Sequence, residues 1–214
     1  MGRTRVDTPH DSLSLTLLQR LQSREAGAWE RVHYLFRPTV YAWCLAQGLA
    51  PPEAEDVVQE VFLAVAGAIA DFRHQRPHDS FRGWLFRITQ NKVRDQQRRS
   101  NKQVAAAGGT TAQHQLDQVA QPSAPEDLPT VAADSQPLYR RALDLIQSHF
   151  EERTWKAFWG LAVEGRPGKD VAADLGLSVG AVYIAKTRVL KRLREEFADL
   201  LEPGEPIDEP PPSP

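Results

Sequence analysis

One cysteine in 214 residues excludes a disulfide framework and any site built from several thiolates. Cys44 lies in VYAWCLAQ, among apolar neighbours, and reads as a buried structural thiol. Long apolar runs are also missing: the longest, VFLAVAGAIA, has ten residues, too few to cross a bilayer. No apolar leader precedes Ser12, and Val6 stands where an N-myristoylation signal needs Ser or Thr. A cytoplasmic protein is expected. Gly-rich phosphate loops and a Ser/His/Asp arrangement are absent too. His74 and His78 are four apart, but Pro77 between them denies the regular helix that a metal-binding pair would use. The sequence therefore leads to no enzyme, no metal and no cofactor.

What is present is charge, and it is segregated. The formal net charge of −2 hides a basic block at residues 1–102, with 15 Lys/Arg against 11 Asp/Glu. Residues 103–137 hold no Lys or Arg and four acids, and residues 202–214 repeat that balance. Between them, residues 138–201 carry 11 basic against nine acidic residues. Two mildly basic blocks are thus separated and followed by acidic strings, so whole-chain charge is a poor guide to nucleic-acid binding. The string SNKQVAAAGGTTAQHQLDQVAQPSAPEDLPTVAADSQP lacks large aromatics and any lasting periodicity. It reads as a flexible linker over 102–137, longer than an ordinary loop within a domain. The expected organisation is a flexible start (1–11), a first domain (12–101), the linker, a second domain (138–201) and a disordered acidic Pro-rich tail (202–214).

Both blocks show helical periodicity and neither shows sustained strand alternation, so the fold class is all-α. In the first block Leu17, Leu18 and Leu21, then Trp29, Val32, Leu35 and Phe36, recur at helical spacing. Pro38 suggests the start of a further helix carrying Val40, Trp43 and Cys44 inward. Pro51 and Pro52 precede an acidic first turn, a favourable helix start, and Val57, Val61, Phe62, Val65 and Ile69 then form an inward stripe. After Pro77, Asp79 or Ser80 can cap another helix.

That helix opens on DSFRGWLFRITQNKVRDQQRRS, where aromatic and basic residues interleave. Phe81, Leu85 and Ile88 fall on one face, with Phe86 partly there. Trp84 sits on the edge of the stripe, open both to a core role and to a role on a single-strand surface. The window 73–102 holds nine basic residues against two acids. In the second block, GKDVAADLGLSVGAVYIAKTRVLKRL fits a helix-turn-helix. Ala172 is small where helices cross, Gly176 supplies the turn and Ser178 caps the second helix. Val182, Ala185, Val189 and Leu193 would face inward, and Tyr183, Lys186, Arg188, Lys191 and Arg192 outward. Residues 183–194 include five basic side chains and no acid, which suits phosphate and base-edge contacts in a major groove. A structural hairpin with a solvated face is the alternative for this motif taken alone. Glu53, Asp56 and Glu60, beside Gln59, lie along one side of the helix in AEDVVQEVFLAV. They lack a His or Cys at ligand spacing and so read as a solvated or protein-docking face.

Taken in order, EAEDVVQEVFLAV, FRGWLFRITQNKVRDQQRR and the C-terminal helix-turn-helix resemble regions two and four of a bacterial RNA polymerase sigma factor. The similarity is to the compact extracytoplasmic-function group, over roughly residues 12–100 and 138–198. The resemblance implies that Asp56, Gln59, Glu60 and Phe62 dock on the polymerase core. It implies that Arg76, His78, Arg82, Trp84, Gln90, Asn91, Arg94, Arg98 and Arg99 meet the minus-ten element and hold it open. Ser178, Val179, Tyr183, Lys186, Arg188, Lys191 and Arg192 would read the minus-thirty-five duplex. Its implied partners are RNA polymerase core (the clamp helices of the largest subunit, and the flap), promoter DNA and an anti-sigma factor. The sequence departs from the family in FLAVAGAIADF, where members often carry Arg and a bulky aromatic. The alternative is a helix-turn-helix regulator that acts without being a polymerase subunit.

Overall fold

The computed structural model describes residues 16–73, 80–107, 131–198 and 200; side chains are described within these ranges except at 103–107 and 131–135. All regular structure among them is helical. The first block holds α1 (Leu17–Gln22), α2 (Ala28–Ala46), α3 (Pro51–Ala68) and α4 (Phe81–Ala107). The second holds α5 (Val131–Ile146), α6 (Glu152–Phe158), α7 (Gly168–Leu175) and α8 (Val179–Phe197).

Local chemistry sets the helix starts. Thr16 and Gln19 form a reciprocal capping box at α1. At α3, Pro51 and Pro52 occupy the first turn, and the Glu53 carboxylate accepts from the Ala50 N–H at 3.1 Å. Ser80 accepts from the Gly83 N–H at 3.0 Å, so it is the residue that caps α4. Asp79, the other expected cap, lies outside the described residues, as do the expected flexible start and acidic tail.

Two boundaries differ from expectation. No new helix begins at Pro38: α2 runs through it to Ala46. The missing proline N–H leaves the Tyr34 carbonyl without its helix bond. Pro38 is exposed, and the apolar stripe of Val32, Leu35, Phe36, Val40, Trp43 and Cys44, each 2% exposed or less, holds both halves to the core. Likewise α4 continues to Ala107 and α5 begins at Val131, so helix intrudes on both ends of the expected linker. Residues 108–130, its middle, lie outside the described residues.

The first core is aromatic. Phe81 meets Phe36 edge-on at 5.2 Å and Phe72 at 5.7 Å, and Phe86 meets Trp43 at 5.0 Å. These contacts pin the start of α4 across α2. On α4 the buried line is Phe81, Leu85, Thr89 and Val93, with Phe86 beside it. Ile88 is only partly buried, so the inward face is rotated slightly toward Phe86 from the one the periodicity suggests. In the second block Val182, Ala185, Val189 and Leu193 are buried as expected, and they pack α8 on the preceding helices.

The blocks also pack on each other, through α2 against α5 and α1 against α8. From α5, Arg141 donates to the Leu35 carbonyl at 2.8 Å and to Thr39 Oγ1 at 3.1 Å. Tyr34 donates to Asp144 at 3.2 Å. Glu196, 1% exposed, pairs with Arg31 of the first block and with Arg192 one turn back on its own helix.

Candidate nucleic-acid interface

The outer face of α4 is built by subtraction. With Phe81, Leu85, Thr89 and Val93 turned inward, the opposite line falls at Arg87, Asn91, Arg94 and Arg98, spaced four, three and four residues apart. All four are exposed. Arg98 has one acid nearby, Asp95 at 3.9 Å, an exposed pair that solvent screens. Gln90 is half-buried beside this line. Three cations on one helical face can meet successive phosphates of a strand laid along it.

Several residues expected on that face are not there. Arg82 is 3% exposed, with its guanidinium 5.8 Å from the centre of the Trp43 ring. It lies four residues before Phe86, on the buried side, and the ring face replaces water around the cation. The expectation that Arg82 points outward to DNA is therefore corrected. Trp84 is half-buried, tilted against Phe72 at 4.8 Å and Phe81 at 5.7 Å. Arg99 is exposed but bidentate to Glu60, at 2.8 and 3.0 Å. Arg76 and His78 lie outside the described residues.

The candidate docking face of α3 is likewise redrawn. Asp56 and Gln59 are exposed. Phe62 is not: it is 9% exposed and packs under the His33 ring at 4.7 Å, which corrects its assignment to the surface. Leu63, the next residue, is 73% exposed. It shares a face with Asp56 and Gln59, and the sequence reading passed over it. Helical spacing carried the signal, since 56, 59 and 63 are three and four apart. Glu60 faces α4: besides Arg99, Lys92 approaches to 3.5 Å. The Arg99 guanidinium holds the Glu60 carboxyl below the usual carboxylate range, against a smaller opposing effect of burial.

The helix-turn-helix has the expected joint. Gly176 caps α7 at φ +59°, in the left-handed region that favours glycine. Arg153 of α6 donates to the Leu175 carbonyl at 3.0 and 2.5 Å and to the Gly176 carbonyl at 2.6 Å, bracing the turn. Ser178 caps α8 by accepting from the Ala181 N–H at 3.1 Å, so its hydroxyl already has a structural task. Tyr183 is half-exposed and its ring lies over Gly168, where a Cβ would come within 3.1 Å of Cε2. Arg188 is exposed and Lys186 half-buried. Lys191 reaches Glu195 at 3.7 Å, and Arg192 turns back to buried Glu196 at 3.4 Å. Val179 and Ile184 are exposed, at 40% and 54%; Ile184 was not among the expected contacts. Among the described residues no cluster of His, Cys, Asp and Glu could hold a metal ion.

Residues 35–103, which contain α3, most of α2 and most of α4, match the Sigma-70 region 2 family. The chain is 29% identical over 182 residues to the ECF RNA polymerase sigma factor SigD of Mycobacterium bovis, covering 81% of this chain and 78% of SigD. Residues 35–103 thus carry the sigma-70 region 2 pattern, and over most of its length the chain is similar to sigma factors of the extracytoplasmic-function group. The sigma factor BldN of Streptomyces coelicolor is 25% identical over 185 residues, covering 86% of this chain and 66% of BldN. The solved structure of CnrH in complex with the cytosolic domain of CnrY aligns at 24% identity with a TM-score of 0.34, over 83% of this chain and 92% of that one. The region-two match ends at the start of the expected linker, whereas an alignment of 182 residues is too long for either block alone. The sigma-factor likeness thus extends into the second block. It also places the α4 stripe and the α3 face inside region two.

Proposed function

We propose that this chain is a sigma factor that binds RNA polymerase core and directs promoter-specific initiation. In this reading α4 holds the opened minus-ten strand and α8 reads the minus-thirty-five duplex. The observation that carries it is the pairing of two outward basic helices in one chain. Arg87, Arg94 and Arg98 line α4 within the matched region, and Arg188 and Lys191 lie on the outer face of α8. A regulator using the helix-turn-helix alone would leave the first stripe without a task.

The chemistry of RNA synthesis then belongs to the polymerase, and this chain contributes selection and binding energy. Unstacking a base costs a few kcal/mol, and stacking on an aromatic surface returns about 1–3 kcal/mol per base. Here the aromatics of α4 mostly hold the helix, with half-buried Trp84 as the ring of α4 that still reaches the surface. Cations therefore do most of the holding. Asp56 and Gln59, with Leu63 as apolar centre, form the face offered to the polymerase. Arg99 is shared between the two tasks through Glu60. Such a protein works where the polymerase is, in the cytoplasm, and no described helix is long and apolar enough to cross a membrane.

Run-off transcription tests this. Purified core polymerase is given a pool of genomic fragments from the source organism, with and without the full chain. Discrete transcripts that depend on the added chain are the expected result. An identical transcript pattern in both reactions would overturn the reading.

A further inference from the structure

We infer that the exposed apolar patch at the start of α8, centred on Ile184, recognises thymine through its 5-methyl group in duplex DNA. This rests on the reading of α8 as the groove helix, and it assigns the sequence choice there to methyl contact instead of charge.

The distribution of apolar surface leads to it. Six large hydrophobic side chains are exposed among the described residues, and three of them, Val179, Tyr183 and Ile184, lie within the first two turns of α8. Residues 179–185 carry no charge at all. Exposed β-branched residues weaken a helix slightly and leave apolar surface in water. Packing does not account for them either, since the inward line is Val182, Ala185 and Val189. Tyr183 has an internal contact at Gly168; Ile184, at 54% exposure, has the most open surface of the three.

Their neighbours select the occupant. A Cβ built on Gly180 would find only Ser178 Oγ, at 4.0 Å, so the backbone beside Ile184 is bare and can come close to a flat surface. Arg188, one turn further on, and Lys191 after it are exposed cations, and residues 183–194 contain no acid. A polyanion complements that surface better than an apolar protein face would. When such a helix enters the major groove, its first turns meet base edges and its later cations meet phosphates. The thymine methyl is the apolar group on those edges. Lys186, expected to read bases, is half-buried and less free to do so.

The experiment uses the full chain with core polymerase. A duplex selected from a randomised pool is remade with each thymine replaced in turn by deoxyuridine, which differs only in lacking the methyl. Loss of one buried methyl should weaken binding about fourfold at one or two positions of the upstream element. Ile184→Ala should bind the deoxyuridine and thymine duplexes equally, while Arg188→Ala weakens both and keeps the difference. A selected site bound equally well with and without every methyl would overturn the inference and leave the groove reading intact. Failure to enrich any duplex would instead remove the groove reading. If Ile184→Ala kept its methyl preference but lost affinity for core polymerase, the patch would be a protein surface and the inference would fall.

Discussion

Burial removes the Cys44 thiol from water and pushes its pKa from 9.0 up to about 12, because the thiolate loses hydration and gains no cation in return. The consequence for stability has a definite sign. Between pH 9 and 12 the unfolded chain has released this proton and the folded chain keeps it. Folding is then opposed more strongly as pH rises, by up to about 1.4 kcal/mol per pH unit. Urea unfolding at about pH 8 and about pH 10 should show the wild type losing more stability than Cys44→Ala across that interval. The variant itself is expected to be less stable at pH 8 through lost packing. Equal losses for the two proteins would mean that the thiol titrates freely. A buried thiol was legible in VYAWCLAQ, since every inward neighbour is apolar. Arg82 was not legible in the same way: an arginine in a basic stretch reads as surface. The Trp43 ring that faces it, 5.8 Å away, arrives from another helix, a contact no local pattern encodes.

At the scale of the element, α3 and α4 are joined by Glu60, which holds Arg99 in two hydrogen bonds and draws in Lys92. An acid that occupies a cation competes with phosphate for it. Glu60→Gln should therefore raise affinity for single-stranded DNA and steepen its salt dependence by roughly 0.7 of log-log slope, as Arg99 becomes available for one more phosphate. Arg94→Ala with Arg98→Ala should do the reverse, flattening the slope by about 1.4 for two lost phosphates on a single strand. Affinity titrations from about 50 to 300 mM salt measure both. A slope unmoved by the double change would take α4 out of the DNA interface. Periodicity carried the helices well, because a stripe at spacings of three and four marks the inward face whatever the partner. It could not tell Phe62 from Leu63 as the outward residue, since either suits a helix of this composition. The choice follows from His33, whose ring covers Phe62 at 4.7 Å, a contact between α2 and α3 that no local pattern encodes.

Over the whole molecule, two blocks that read as separate domains share one surface. Arg141 and Tyr34 bind across it. Leu138, Phe197 and Leu200, all 3% exposed or less, complete a core that also contains residues of α1 and α2. Its polar centre is Glu196, buried between Arg31 and Arg192, with the Arg31 guanidinium 5.7 Å from the Phe197 ring centre. A buried acid between two bases holds only while all three are present. Removing the acid leaves two cations facing each other, and breaking a buried pair in this way costs about 3 kcal/mol. The cost is smaller here, because the Arg31 and Arg192 side chains keep 22% and 29% of their exposure and can turn to water. That cost falls on the contact between blocks and not on either block's own aromatic or aliphatic core. Glu196→Gln should therefore separate unfolding into two transitions where the wild type shows one. It should also enlarge the radius of gyration measured by X-ray scattering, before any loss of helix seen by circular dichroism. Arg192 would be released at the same time, so duplex affinity should rise in the variant as the blocks part. A variant that unfolds in one step, with unchanged radius and DNA affinity, would show that the apolar contacts of Leu138, Phe197 and Leu200 hold the blocks together without the ion pair.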